Sequence, residues 1–197
     1  MAEMDQARHL HMGTVALVGL QDKRASQIKE WEKNTRERVA KDAELKRLLV
    51  KYPFVLLAEP TIDGMEADAT YSNFSFVHET TNLKKYSDRA QLFFYGGDEE
   101  RTFGIDRGLK NFTVDLGKQD FDKNPDLEKI SIDHSGLSAD GGVASEGHVY
   151  LQHVNTHRGS DFYVLFQVVA AEKNGQFMAF VWRKLPGGKI VKQPEPK

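Results

Sequence analysis

Two periodicities divide the chain. Between about Arg24 and Tyr52, apolar residues fall at Ile28, Trp31, Val39, Leu45, Leu48 and Leu49, in a stretch free of Gly and Pro. Ala, Glu, Lys, Arg and Leu dominate it, and all are strong helix formers. Asp22 or Ser26 can cap the start, and Pro53 cannot continue the helix. Thr35, Arg38 and Asp42, between the apolar ends, are polar. The segment therefore reads as one helix of about 42 Å, or as two helices breaking near Asp42. The polar middle argues against a continuous coiled coil.

From Phe54 onward the period becomes two. Strands are expected at 54–59, 70–79, 90–95, 101–106, 111–116, 129–133, 147–154, 161–171 and 176–185. Turn residues separate them, among them Asp63-Gly64, Gly96-Gly97, Asn124-Pro125, Gly141-Gly142 and Asn174-Gly175. The pattern predicts an α+β, mainly β fold. A charged N-terminal helix (23–52) precedes a β-rich domain (53–185) built as an antiparallel sandwich or bent barrel of about eight or nine strands. Residues 1–22 read as an arm or short strand, and 186–197, rich in Pro, Gly and Lys, as a flexible tail.

Register follows from the turns. A two-residue turn at Asn174-Gly175 pairs Lys173 with Gln176, so Val169 faces Phe180 and Gln167 faces Trp182. A four-residue loop with Asn155 opposite Ser160 places His148 across from Gln167. These counts predict one polar row, His148–Gln167–Trp182, flanked by Tyr150. A polar row in an apolar face must be bonded internally or open to a ligand. His148, Tyr150, Gln167 and Trp182 are therefore the candidate ligand-binding residues, although a slip of one residue would dissolve the row.

Composition narrows the chemistry. Of 197 residues 40% are hydrophobic, with twelve Phe and six Tyr, so the chain can build a real core. The absence of cysteine removes disulfides, thiol nucleophiles and thiolate metal sites together. His148, His153 and His157 lie near one another in sequence. The first two are an odd number of residues apart on one strand, so they point to opposite faces, and no metal site is expected. The run from Asp120 to Glu128 alternates oxygen side chains like the front of a calcium loop. It puts Pro125 where such a loop needs a sharply turning Gly, and Ser131 where it needs a bidentate Glu. A polar turn explains the run more simply. No phosphate loop, dinucleotide fingerprint, nucleophile elbow or zinc-protease motif is present, so no cofactor and no catalytic residue is expected.

The formal charge of −2 conceals a contrast. Residues 23–51 carry ten Lys/Arg against five Asp/Glu, whereas residues 52–197 carry sixteen against twenty-one. Acidic residues are interleaved through the helix, which does not suit a nucleic-acid stripe. The apolar run Met12–Leu20 is only nine residues long, with Glu3 and Asp5 before it and no cleavage site after it. It suits neither a membrane span nor a signal peptide, which favours the cytoplasm. The reading that results is a non-enzymatic binding or assembly module, meeting a protein partner or a second copy through the arm and helix. The alternative is a small-molecule or glycan-binding β-domain, hydrolases included, with its site on the C-terminal strands.

Overall fold

The computed structural model describes residues 23–59, 61–62, 65–66, 71–81, 90–96, 102–105, 111–127, 130, 142–156, 159–172 and 175–186. The expected arm at 1–22, the expected strand at 129–133 apart from residue 130, and the tail from 187 onward lie outside them. The chain divides into two compact units, Met1–Arg38 and Val39–Lys197.

Of the two expected outcomes for the helical segment, the broken one is observed. Helix α1 covers residues 23–39, and α2 covers Ala43–Lys51. In the smaller unit, Arg24 holds Gln27 at 3.1 Å and lies over the Trp31 ring, and Arg36 pairs with Glu32 one turn away. The break falls at Asp42 because this residue serves as a cap. With extended backbone (φ −87°, ψ 126°), its carboxylate accepts from the Glu44 and Leu45 N–H groups, satisfying donors that a helix start leaves bare. Helix α2 ends at Tyr52, which is extended as a residue before proline should be.

Eleven strands are described, all antiparallel. They are β1 (Phe54–Ala58), β2 (Thr61–Ile62), β3 (Met65–Glu66), β4 (Asn73–Phe74), β5 (Leu92–Gly96), β6 (Thr102–Ile105), β7 (Phe112–Lys118), β8 (Gly142–Val143), β9 (His148–Asn155), β10 (Asp161–Ala171) and β11 (Phe177–Lys184). A five-stranded sheet runs β1-β11-β10-β9-β7, a four-stranded sheet β4-β5-β6-β8, and β2-β3 form a small hairpin. The fold is thus mainly β α+β: in chain order two helices, then two antiparallel sheets in an open sandwich-like arrangement. The strand expected at 70–79 is cut to two residues. Beyond Phe74 the chain turns back through Phe76–Glu79, and Ser75 bridges to Thr80.

The core lies where the two sheets face each other. Phe74, Phe76, Phe94 and Phe103 meet Tyr150, Val164, Phe166, Val168, Phe180 and Trp182 from the larger sheet. Tyr150 stacks on Phe166 at 4.9 Å, and Phe103 meets both rings edge-on. These offset and edge-to-face contacts add to the burial of large apolar rings. The other face of the large sheet is buried as well, since Val149, Leu151, Leu165 and Val181 are almost wholly covered. That is why its strands read as continuous apolar runs.

Both hairpin registers differ from the counted ones by one residue. Between β9 and β10 the loop is one residue longer: Asp161, not Ser160, opposes Asn155. Gly159, at φ +85°, donates to the Thr156 carbonyl and adds the extra position. Gln167 therefore faces Val149, and Tyr150 faces Phe166. Between β10 and β11 the turn-proximal pairs Ala171–Met178 and Ala170–Ala179 keep the counted register, but a bulge at Val169 shifts everything beyond it. Val168 then faces Phe180, Gln167 faces Val181 and Phe166 faces Trp182. The bulge resets the alternation, so Val164, Phe166, Val168 and then Ala171 all face the core. The turn itself closes from Glu172, whose carbonyl accepts from Gly175 and whose N–H donates to Phe177, one residue earlier than a two-residue turn would.

Candidate functional site

The register change dissolves the row His148–Gln167–Trp182. Tyr150 and Trp182 turn into the interlayer core, whereas Gln167 lies on the opposite face of the sheet. Tyr150 is enclosed, and its hydroxyl donates to the Val143 carbonyl at 2.7 Å and accepts from the Ser145 N–H. It thereby ties β9 to the rim strand β8 of the other sheet. Trp182 packs edge-on against Phe74 and Phe76, with its indole N–H unpaired. Gln167 donates to the Gly147 carbonyl at 3.3 Å, leaving its buried amide oxygen without a partner. Three of the four candidates are therefore packing residues on two different faces.

His148 is the one that reaches solvent, and its partner was not anticipated. Both carboxylate oxygens of Asp115 lie 3.0–3.1 Å from its Nδ1. Asp115 sits in the middle of β7, where a bulge between Asp115 and Lys118 lets Lys118, not Gly117, oppose His148. Gly117 supplies the turn of that bulge at φ +69°, and its N–H donates to Asp115 Oδ1 at 2.7 Å. The carboxylate is thus oriented before it meets the ring. A carboxylate on Nδ1 selects the tautomer protonated there and leaves Nε2 as the acceptor. The Asp115-Leu116-Gly117 order, an Asp two residues before a Gly at a strand end, was the legible signal of this bulge.

His153, five residues along β9, points to the other face as its odd spacing required. Its Nε2 is 2.8 Å from Asp161, and its ring lies between Phe112 and Tyr163. The two imidazoles thus belong to separate carboxylates rather than to one metal centre. His157 lies outside the described residues.

In the described part of the acidic run, 120–127, Asp122 is engaged from within. Asp122 accepts from Arg47, from Lys51 at 2.8 Å and from the Tyr52 hydroxyl. Arg183 of β11 donates to the carbonyls of Phe121 and Lys123 and to the Asn124 side chain, all within 3.0 Å. Its guanidinium also lies over the Phe121 ring, which the Tyr52 ring meets edge-on from the α2 side. The Asp122, Phe121, Lys123 and Asn124 oxygens, which could have served a calcium ion, are therefore engaged by side chains of α2, Tyr52 and β11. The hydrogen bonds from Lys51 and Tyr52, with that from Arg47, hold the Asp122 carboxyl well below the usual carboxylate range.

No family model, no curated protein and no solved structure matches the chain.

Proposed function

We propose that the chain is a non-catalytic binding or assembly module that engages an acidic protein surface, a second copy of itself foremost, through its basic helical front end. The observation that carries this reading is the convergence of Arg47, Lys51 and Tyr52 on Asp122. One carboxylate of the acidic β-rich region already receives two cations of the helical segment. That segment carries five more basic than acidic residues, and the region from 52 onward five more acidic than basic, so the same pairing is available between copies. Val50 adds an apolar contact point, standing 84% exposed on α2. Light scattering across concentration, at low and at high salt, tests the proposal. A dimer or larger species that dissociates with added salt and is weakened by Val50→Asp is expected. A strict monomer at low salt, with no shift on adding an acidic partner domain, counts against it.

A second reading, a ligand-binding or hydrolytic β-domain, draws on the Asp115–His148 pair. An oriented imidazole with Nε2 left over can act as a base or hydrogen-bond acceptor. Hydrolysis of a simple activated ester at neutral pH by the parent and by His148→Ala distinguishes the readings, since equal rates remove the hydrolytic one.

A further inference from the structure

A polar seam crosses the otherwise aromatic interlayer near the β7 edge. Ser75 donates to the Gln91 amide oxygen at 2.9 Å, the Val77 N–H reaches the same oxygen, and the His78 N–H donates to Ser75. Across the layer, Gln152 of β9 donates its amide nitrogen to the Gln91 carbonyl at 2.6 Å. That bond fixes the amide orientation, because only the NH2 side can donate to a carbonyl. The Gln152 oxygen consequently faces the other way. It is buried without a partner, and so is the hydroxyl oxygen of Thr113.

These two atoms belong together. Thr113 of β7 and Gln152 of β9 are directly opposed in the antiparallel ladder, so their side chains rise from the same face as near neighbours. Both residues are more than nine-tenths buried. A bare buried amide oxygen costs more than immobilising one water, and a water can donate to the oxygen while bonding the hydroxyl. Among the described strands β7 is an outer one of the sheet, so the pair lies toward that edge rather than in the middle of the aromatic core. We infer that Thr113 and Gln152 form an internal water site that completes the Gln91–Ser75 seam and helps join the two sheets.

The substitution Thr113→Val tests this by sign. It keeps the shape of the side chain and exchanges the hydroxyl for a methyl group, which can neither donate nor accept. If a water bridges the pair, the variant loses it and strands the Gln152 oxygen, so the melting temperature falls by roughly 2–4 °C. If the pair is dry, the variant removes an unsatisfied hydroxyl and melts at or above the parent, which overturns the inference. A high-resolution crystal structure of the parent gives an independent reading. Density for a water within hydrogen-bond distance of both Thr113 Oγ1 and Gln152 Oε1 upholds the site. A direct Thr113–Gln152 hydrogen bond, or no density between them, overturns it.

Discussion

Lys51 donates to Asp122 at 2.8 Å, joining the last residue of α2 to a loop seventy-one residues further along the chain. Tyr52 and Arg47 reach the same carboxylate, so three donors share one acceptor group. The bond therefore acts as a fastener between the end of a helix and a surface loop, and its partners stay in contact with water.

Because Asp122 ionises more readily in the folded chain than its ordinary value near 3.8 allows, its contribution depends on pH with a definite sign. A depressed carboxylate stabilises the fold fully above the unfolded value, and this is lost as pH falls through the folded one. Asp122→Asn should accordingly lower the melting temperature at pH 7, with a gap from the parent that begins to close near pH 4 and shrinks further below it. Since the pair is solvent-exposed, added salt should narrow the gap at pH 7 too. A gap independent of both pH and salt would show that the loss is one of shape rather than charge.

Two glycines separate backbone strain from crowding. A Cβ at Gly117 would meet nothing within 4 Å, so Gly117→Ala should cost only its left-handed backbone, about 1–2 kcal/mol. At Gly96, φ is +67°, and a Cβ would come within 2.6 Å of Glu59 Cβ and 2.8 Å of the Gly175 carbonyl oxygen. Gly96→Ala should therefore be clearly the worse of the two in urea denaturation. Equal losses would mean that the strand ends relax freely.

The Tyr95 ring lies across Gly104 on the neighbouring strand, where an added Cβ would sit 2.5–2.9 Å from ring atoms. Tyr95 is 53% exposed, so the ring can swing outward. Gly104→Ala should displace it at modest cost, and in a Tyr95→Ala background the same change should cost less. A double-mutant cycle measures this coupling directly, and strict additivity would mean that the ring does not rest on the glycine.

Phe166 touches Tyr150, Phe103, Phe76 and Phe180, in the middle of the interlayer core. Phe166→Ala should destabilise by about 3–5 kcal/mol, through lost burial and an unfilled cavity. Val50→Asp should leave the stability of the single chain within about 0.5 kcal/mol, because Val50 stands 84% exposed on it. Chemical denaturation of the two variants checks both figures.

Much of the candidate site was hidden from the sequence for a local reason. The strands 147–154, 161–171 and 176–185 were visible from their apolar alternation, and the structure places them within one or two residues. Their registers were not visible, because each depended on a single extra residue. Gly159 lengthened one loop, and Val169 bulged out of one ladder. Each insertion left the apolar pattern intact on both sides, so the pattern could not report it. Yet each was enough to carry Gln167 away from His148 and Trp182.

The contrast between a basic helical segment and an acidic β-rich region is a property of composition, and the mainly β fold class was legible in the period-two alternation beyond Phe54. Asp42 was a legible break, because a short polar side chain before a fresh helical run can cap it. The opposite directions of His148 and His153 followed from counting along a strand. What the tertiary structure alone decided is which carboxylate meets which cation or imidazole. Asp115 finds His148 from thirty-three residues away, Asp161 finds His153 across a hairpin, and Asp122 gathers Arg47, Lys51 and Tyr52. Such partnerships depend on loop length, bulges and the packing of one layer on another. Side-chain periodicity records the face of an element and is silent about what comes to lie against it.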